Sequence, residues 1–416
     1  MPLGLDEHAV SSSVLERVVT AAARFSSFAD ATAAVQMSGV AISESQVRRL
    51  AHEVGQELIE WRDGKALEHR HRRLAPRSEV VPEAVVVEVD GGRIRTRAAN
   101  AGSGVHDARH KEDKIACLAT LTGPTFAADP CPEPPHSFLC PRRVRRLVNQ
   151  MKRAAAEVTP PENPDDTVPP ADSKSAPRPP ERWSPKRLVR TCVASLESSG
   201  PFGRLVATEA HERGFFGATR RAFVADGAAY NWAIHAGYFR QFEPIVDLLH
   251  VLSYLYTSAQ AVSADEASGW ARYVGWVRAC WQGRASEVLT DLDAEQERLG
   301  VPPGGAGEDR QDPRRVVWEG RSYLRNNRER MDYPRYRREG LPTTSSLVES
   351  LGGEFNSRVK GKQKHWTRPH GAESILQLRA AVLSEDGRLE RHFAHRHGCA
   401  FRKRPRPASP KSQTAN

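Results

Sequence analysis

The chain has 416 residues, 39 % of them hydrophobic and 27 % charged, which excludes a disordered protein and allows two or three domains. Lys and Arg outnumber Asp and Glu by 61 to 51, a basic balance that favours a polyanionic partner. No apolar run approaches the ~20 residues of a membrane helix, residues 1–8 lack a signal peptide's basic and apolar segments, and the six cysteines form no Cys-x-x-Cys pair. A cytoplasmic protein without membrane contact, disulfide framework or zinc site is expected.

Residues 13–62 read as three helices. The third opens at Ser43, with Gln46 at capping-box spacing, and continues as Val47, Leu50, Ala51, Val54 and Leu58, a stripe at helical period. The helix before it, Phe28–Met37, ends at Ser38-Gly39. Helix, glycine turn and helix outline a helix-turn-helix, whose second helix reads the major groove with its N-terminal residues. Ser45, Arg48 and Arg49 are then the DNA-facing side chains. A small bundle with a basic surface is the plain alternative.

Residues 83–121 have strand texture. In 84–90, Val86, Glu88 and Asp90 fall on one side and Val85, Val87 and Val89 on the other. Asp90-Gly91 is a hairpin signal, because glycine accepts the positive φ of a tight turn, and 93–97 and 114–121 come next as strands. Residues 160–185 hold nine prolines and no glycine, which reads as an extended, poorly ordered insertion. Beyond it come a helix near 203–213, a strand at 220–226, a helix from 228 and a strand at 243–249. Residues 251–340 look wholly helical, with Trp270, Trp276, Trp281 and Trp318 available for a core.

Within that helical stretch, 314–340 carries nine arginines against four acids. Such a run is commonly a solvated face; here the favoured meaning is a track for the phosphate backbone, with Arg325 and Arg328 as contacts. Two helices at 346–361 and 370–384 come after it, then a basic tail. His392, His395, His397 and Cys399 resemble a metal tract by composition, with accidental or weak binding the better reading.

Three carboxylates stand out. Asp90 and Asp226 each end a β-branched apolar run just before glycine, and Glu349 sits in the first turn of a helix. Singly, each has a structural explanation: a turn, a helix cap and a capping box with Ser346. Together they suit a pair of Mg²⁺ ions, which prefer hard oxygen ligands. A metal pair ~4 Å apart stabilises both the attacking and the leaving oxygen of a phosphodiester.

Around these acids the sequence resembles the DDE transposases of bacterial insertion sequences, most closely the IS-Kra group and its Mutator-like relatives. Ala225-Asp226-Gly227-Ala-Ala-Tyr-Asn-Trp232 looks like their second-aspartate motif, and Asp247-Leu-Leu-His250 like their Asp-x-x-His element. Met331-Asp-Tyr-Pro334 and Gly340-Leu-Pro342 are similar to the approach to their catalytic glutamate. Val348-Glu349, Arg358-Val-Lys360, Trp366 and Gly371-Ala-Glu373 are similar to the glutamate's own surroundings and the residues after it. The segment ending at Val54-Gly55 resembles their N-terminal helical domain, so the likeness spans residues 14–384.

That resemblance implies an α/β, ribonuclease-H-like catalytic domain (83–250 and 341–388) with an all-helical insertion (251–340). A helical, helix-turn-helix-like domain (1–64) and a basic linker (65–82) precede it. The proline-rich insertion occupies 158–186, and a basic tail 389–416. It also implies two Mg²⁺ ions, with Mn²⁺ as a substitute, held by Asp90, Asp226 and Glu349. Asp247 and His250 support the site, and Lys360 and Trp366 join the DNA contacts. The partners are double-stranded DNA, as terminal inverted repeats and target, and further copies of the chain. The implied protein is bacterial and nucleoid-associated, and its reactions are metal-dependent cleavage and strand transfer; a stand-alone nuclease or an inactive DNA-binding relic are the alternatives.

Two departures from the family pattern bear on the third acid. Residues 343–346 read Thr-Thr-Ser-Ser where the relatives have a glycine, and Gly352-Gly353-Glu354 intervene before Asn356. Glu354 is therefore a rival. Glu349 is preferred because Gly353, Asn356 and Lys360 succeed it along one face, while Leu347, Leu351 and Phe355 lie on another.

Overall fold

A computed structural model describes residues 10–78, 80–96, 109–156, 183–302, 309, 311–359, 366 and 369–396. In chain order these form α1 (Ser12–Arg24), α2 (Phe28–Met37), α3 (Glu44–Arg70), β1 (Ala84–Thr96), β2 (Arg109–Thr122), α4 (Pro141–Ala156) and β3 (Lys186–Ser195). Next are α5 (Ser199–Glu212), β4 (Arg220–Ala225), α6 (Ala229–Tyr238), β5 (Glu243–Val246), α7 (Leu248–Val262) and α8 (Glu266–Trp281). The chain closes with α9 (Ala285–Leu299), α10 (Pro313–Asn327), α11 (Tyr333–Arg338), α12 (Ser346–Val359), α13 (Pro369–Leu383) and α14 (Arg388–His395). Among the described residues no helix is long and apolar enough to cross a membrane. The proline-rich stretch lies, up to residue 182, outside the described residues.

The chain divides into two compact units. One comprises Met1–Gly64, Arg95–His110 and Glu354–Asn416; the other comprises Lys65–Ile94 and Lys111–Gly353.

In the first unit the expected capping box is formed. The Ser43 N–H donates to Gln46 Oε1 at 2.9 Å, and the Gln46 N–H returns to Ser43 Oγ at 3.3 Å. Val47, Leu50, Ala51, Val54 and Leu58 are all buried, each of the larger apolar side chains contributing roughly 1.5–3 kcal/mol. The last carbonyls of a helix lack partners within it. Those of α1 are met by two buried guanidinium groups. Arg358 donates to the Ala22 carbonyl at 2.9 Å and lies 4.3 Å from the centre of the Phe28 ring, and Arg379 donates to the Ala23 carbonyl. Burial, then the charges of Arg379 and Arg48, brings Arg358 down to about 10.

The expected basic tail begins as α14, because Leu389 and Phe393 form a buried i, i+4 pair. His392 bonds Glu57 at 2.9 Å and His395 the Arg391 carbonyl at 2.8 Å. These two histidines are engaged within the protein, and His397 and Cys399 lie outside the described residues.

The second unit is a mixed α/β arrangement around five strands ordered β3-β2-β1-β4-β5. β1, β4 and β5 run parallel, and β2 pairs antiparallel with β3. Alternation along β1 divides the core as the sequence indicates. Val85, Val87 and Val89 pack with Phe202 and Val206 of α5 and Ile234 of α6. Ala84 and Val86 pack with Ala119 and Leu121 of β2, Val144 and Val148 of α4, and Val251 and Leu255 of α7.

Several expected boundaries move. β1 passes straight through Asp90-Gly91-Gly92 to Thr96, and Gly91 has no positive φ, so the predicted hairpin turn is absent and 93–97 is no separate strand. β5 stops at Val246 rather than 249, because Asp247 caps α7 by accepting the His250 N–H. α3 continues through 65–70, where the sequence suggests a linker. Its Lys65 is buried between Glu209 and Glu212, at 2.5 and 2.8 Å. α4 and β3 lie beyond the sequence reading, although Val144, Leu147, Val148 and Met151 have helical spacing. Trp276 and Trp281 are buried as expected, but Trp318 is 45 % exposed.

Arg337 is wholly buried, stacks on Trp281 with its guanidinium 3.9 Å from the ring centre, and pairs with Asp129. Burial alone would raise the Asp129 pKa, but bonds from Arg337 and the Cys131 N–H hold it below the ordinary 3.8. The pair therefore stabilises the fold fully above that value and less as pH falls through the lower, folded one. Asp129→Asn leaves the buried cation without its counter-charge and should cost about 3 kcal/mol. Thermal midpoints of both proteins between neutral and acid pH check this: the difference should shrink on acidification.

Candidate active site

Parallel pairing of β1 with β4 sets Val89 opposite Ala225. An aspartate follows each: Asp90 within β1, and Asp226 at the start of the loop that leaves β4. Val89 and Ala225 both face the α5–α6 core, so alternation turns Asp90 to the opposite face of the sheet. Asp90 Oδ1 accepts the Gly91 N–H at 2.7 Å. Asp226 Oδ1 accepts the Ala228 N–H at 2.9 Å and the Asn231 side-chain amide at 2.8 Å. Its loop is held from outside as well. Gly227 has φ +93°, and the Tyr323 hydroxyl donates to the Asp226 carbonyl at 2.8 Å. Trp232 bonds Asn327 at 3.0 Å, with Arg330 stacked on its ring.

The helix carrying Glu349 is tied down by two buried acids. The Val348 N–H donates to Glu88 Oε2 at 2.8 Å, and the Ser345 N–H to Asp247 Oδ1 at 2.8 Å. Orphan N–H groups at a helix start are where carboxylates bind best. Asp247 Oδ2 also holds His250, accepting its backbone N–H at 3.0 Å and meeting its ring Nδ1 at 2.6 Å. Further along α12, a Cβ on Gly352 would lie 3.7 Å from Asp90 Oδ2, so the Asp90 carboxylate rests against this turn. At about 100° per residue, Glu349 falls some 60° round the helix from Gly352 and Glu354 some 160° away. Among the described side chains, which exclude that of Glu349, no three His, Cys, Asp or Glu form a group able to hold a metal ion.

Two residues of the site had no role in the sequence reading. Glu88 shares the Asp90 face by alternation, but its bond to Val348 depends on where α12 lands. Tyr230 lies in the first turn of α6, and its hydroxyl oxygen stands where it would collide with a Cβ on Gly91. Burial, then the charges of Asp226, Asp90 and Glu112, pushes the phenol well above its ordinary pKa. A neutral hydroxyl therefore sits beside both aspartates. Gly91 serves this close approach rather than a turn.

The expected DNA contacts belong to both units. Ser45, Arg48 and Arg49 are exposed at the start of α3, with Arg48 bonded to Glu44 at 2.7 Å. Most arginines of 314–340 are engaged within the fold. Arg314 pairs with Asp312, Arg315 with Glu319, Arg321 and Arg325 with Asp293, Arg335 with Glu243, and Arg337 with Asp129. Arg328 is exposed without an ion-pair partner among the described residues. A formal count along one segment misses acids that the fold brings from Asp129, Glu243 and Asp293. Trp366 is half-buried and donates its indole N–H to the Val359 carbonyl at 3.1 Å. Lys360 lies outside the described residues. No family model matches the chain, and no curated protein matches it significantly.

Gly91→Ala should force the added methyl onto the Tyr230 hydroxyl and cost about 1–3 kcal/mol. In the Tyr230→Phe background the nearest ring atom is 3.4 Å away, so the same change should cost much less. A double-mutant cycle of thermal or denaturant stability measures the difference; equal costs in both backgrounds would remove the contact.

Proposed function

We propose that the chain is a metal-dependent DNA-cleaving and strand-joining enzyme of the DDE transposase type, built on a ribonuclease-H-like sheet. The observation that carries this is the β1–β4 register, whose last pair, Val89 and Ala225, immediately precedes Asp90 and Asp226, with Tyr230 near enough to feel the charge of both. The contact of Asp90 with α12 at Gly352, one turn beyond Glu349, supports it further. The order β3-β2-β1-β4-β5 supports the ribonuclease-H-like reading, because it makes the two acid-bearing strands neighbours.

The donor set fits Mg²⁺ or Mn²⁺. Asp90, Asp226 and Glu349 offer hard oxygens, with no cysteine among them. Glu349 is the third donor rather than Glu354, since it lies on the Gly352 side of α12. When bound, the ions supply Lewis-acid stabilisation of the phosphodiester and a more acidic water. The chain's own residues prepare that chemistry. Ala228 and Asn231 fix the rotation of Asp226; Glu88 and Asp247 hold the start of α12; and Tyr230 offers a neutral donor beside the acids. Terminal inverted repeats and target DNA are the substrates on this reading, with the exposed start of α3 as a reader of sequence.

Asp90→Asn, Asp226→Asn and Glu349→Gln should each lower metal-dependent cleavage and joining of terminal-repeat DNA by more than about 100-fold. Asparagine keeps the size of aspartate and a side-chain oxygen to accept the Gly91, Ala228 and Asn231 N–H groups, so the aspartate variants should keep their thermal midpoints and DNA affinity. Glu354→Gln should retain activity. Cleavage surviving in both asparagine variants would end the assignment.

A further inference from the structure

We propose that α4 is a DNA-binding helix that tracks the phosphate backbone of double-stranded DNA. Its arginines are other than those of 314–340, and such binding needs no catalysis.

The sequence of α4, PRRVRRLVNQMKRAAA, contains six basic residues and no acid. One face is spent on the core: Val144 and Val148 are buried against Ala119 and Leu121 of β2 and against α7. Arg142, Arg143, Arg145 and Arg146 are exposed. Arg145 pairs with Glu266, both more than half exposed, a surface pair of the kind worth ~0–1 kcal/mol and readily exchanged for a phosphate. Arg142, Arg143 and Arg146 have no ion-pair partner among the described residues, in contrast to the 314–340 run.

The fold gains nothing from this arrangement. Cations in the first turn oppose the helix dipole, and like charges at i, i+4, as Arg142 and Arg146 are, cost a few tenths of a kcal/mol. A polyanion reverses both penalties. From Arg142 to Arg153 the helix rises about 16 Å, roughly five base pairs of duplex. A membrane surface fits less well, because an interfacial helix must bury its apolar face in lipid and this one has committed Val144 and Val148 to the core. By alternation, α4 covers the same sheet face from which Glu88 and Asp90 project, so DNA held along it approaches the side of the sheet that carries the candidate site.

The test is fluorescence anisotropy of the full chain with a random-sequence duplex of about 30 base pairs, in chelator and over a salt series. Arg142→Gln, Arg143→Gln and Arg146→Gln together should weaken binding at least tenfold and lower the log–log salt slope by about 2–3. A second triple, Arg314→Gln, Arg315→Gln and Arg321→Gln, removes the same charge from paired positions and should change both far less. Replacing the three α4 arginines by lysine should preserve most of the affinity, because phosphate is met by charge. Wild-type binding by the α4 glutamine triple, an equal loss in both triples, or a loss confined to phosphatidylglycerol vesicles would overturn the proposal. Lost DNA binding in a chain that never cleaves would leave it standing while the transposase reading fails; retained binding with active cleavage would do the reverse.

Discussion

Parallel pairing of β1 with β4, in the register that sets Val89 opposite Ala225, joins two carboxylates from distant parts of the chain. Like charges brought near one another repel, and neighbouring donors offset that repulsion. N–H groups of Gly91 and Ala228 and the Asn231 amide donate to the two aspartates, and Tyr230 stays neutral between them. Such donors fix the rotation of each carboxylate. Buried apolar residues on both faces of the sheet keep the strands in this register, since a one-residue slip would turn every β1 side chain to the wrong side.

The helix that carries Glu349 is positioned less directly. α12 takes its starting point from Glu88 and Asp247, acids that bind backbone rather than ligand. Asp247 also fixes His250, so the end of β5, the start of α7 and the start of α12 share one carboxylate. A buried group with three partners is costly to disturb. Removing it should therefore affect the site through the position of α12.

Arginine has two distinct uses in this protein. Arg337, Arg358 and Arg379 are buried and serve the fold, meeting carbonyls, aromatic rings or a carboxylate. Arg142, Arg143 and Arg146 are exposed and have no ion-pair partner within the described chain. The excess of basic over acidic residues is the same fact in both cases, and its meaning depends on which acids the fold brings near. The 314–340 run is the richer in arginine, yet α4 is the better candidate for a polyanion.

Local patterns were legible in the sequence wherever the physics is local. The Ser43–Gln46 box, the Val47–Leu58 stripe and the alternation of β1 need only neighbouring residues, and each stands as read. Readings that needed a distant partner fared differently. Gly91 signals a turn until Tyr230 arrives from α6; Trp318 counts as core until α10 turns it outward; and arginines look free until Asp293 or Glu243 closes on them. Alternation put Glu88 on the Asp90 face but gave it no role, because its partner is an N–H more than two hundred residues away. Sequence by itself determined the α/β character and the helical stretch after β5, because periodicity and capping act over a few residues. Only the tertiary structure decided that β1 and β4 are neighbours in register, that Asp90 meets α12 at Gly352, and which cations remain unpaired, because strand pairing and charge compensation are set by contacts that exist only once the chain has closed on itself.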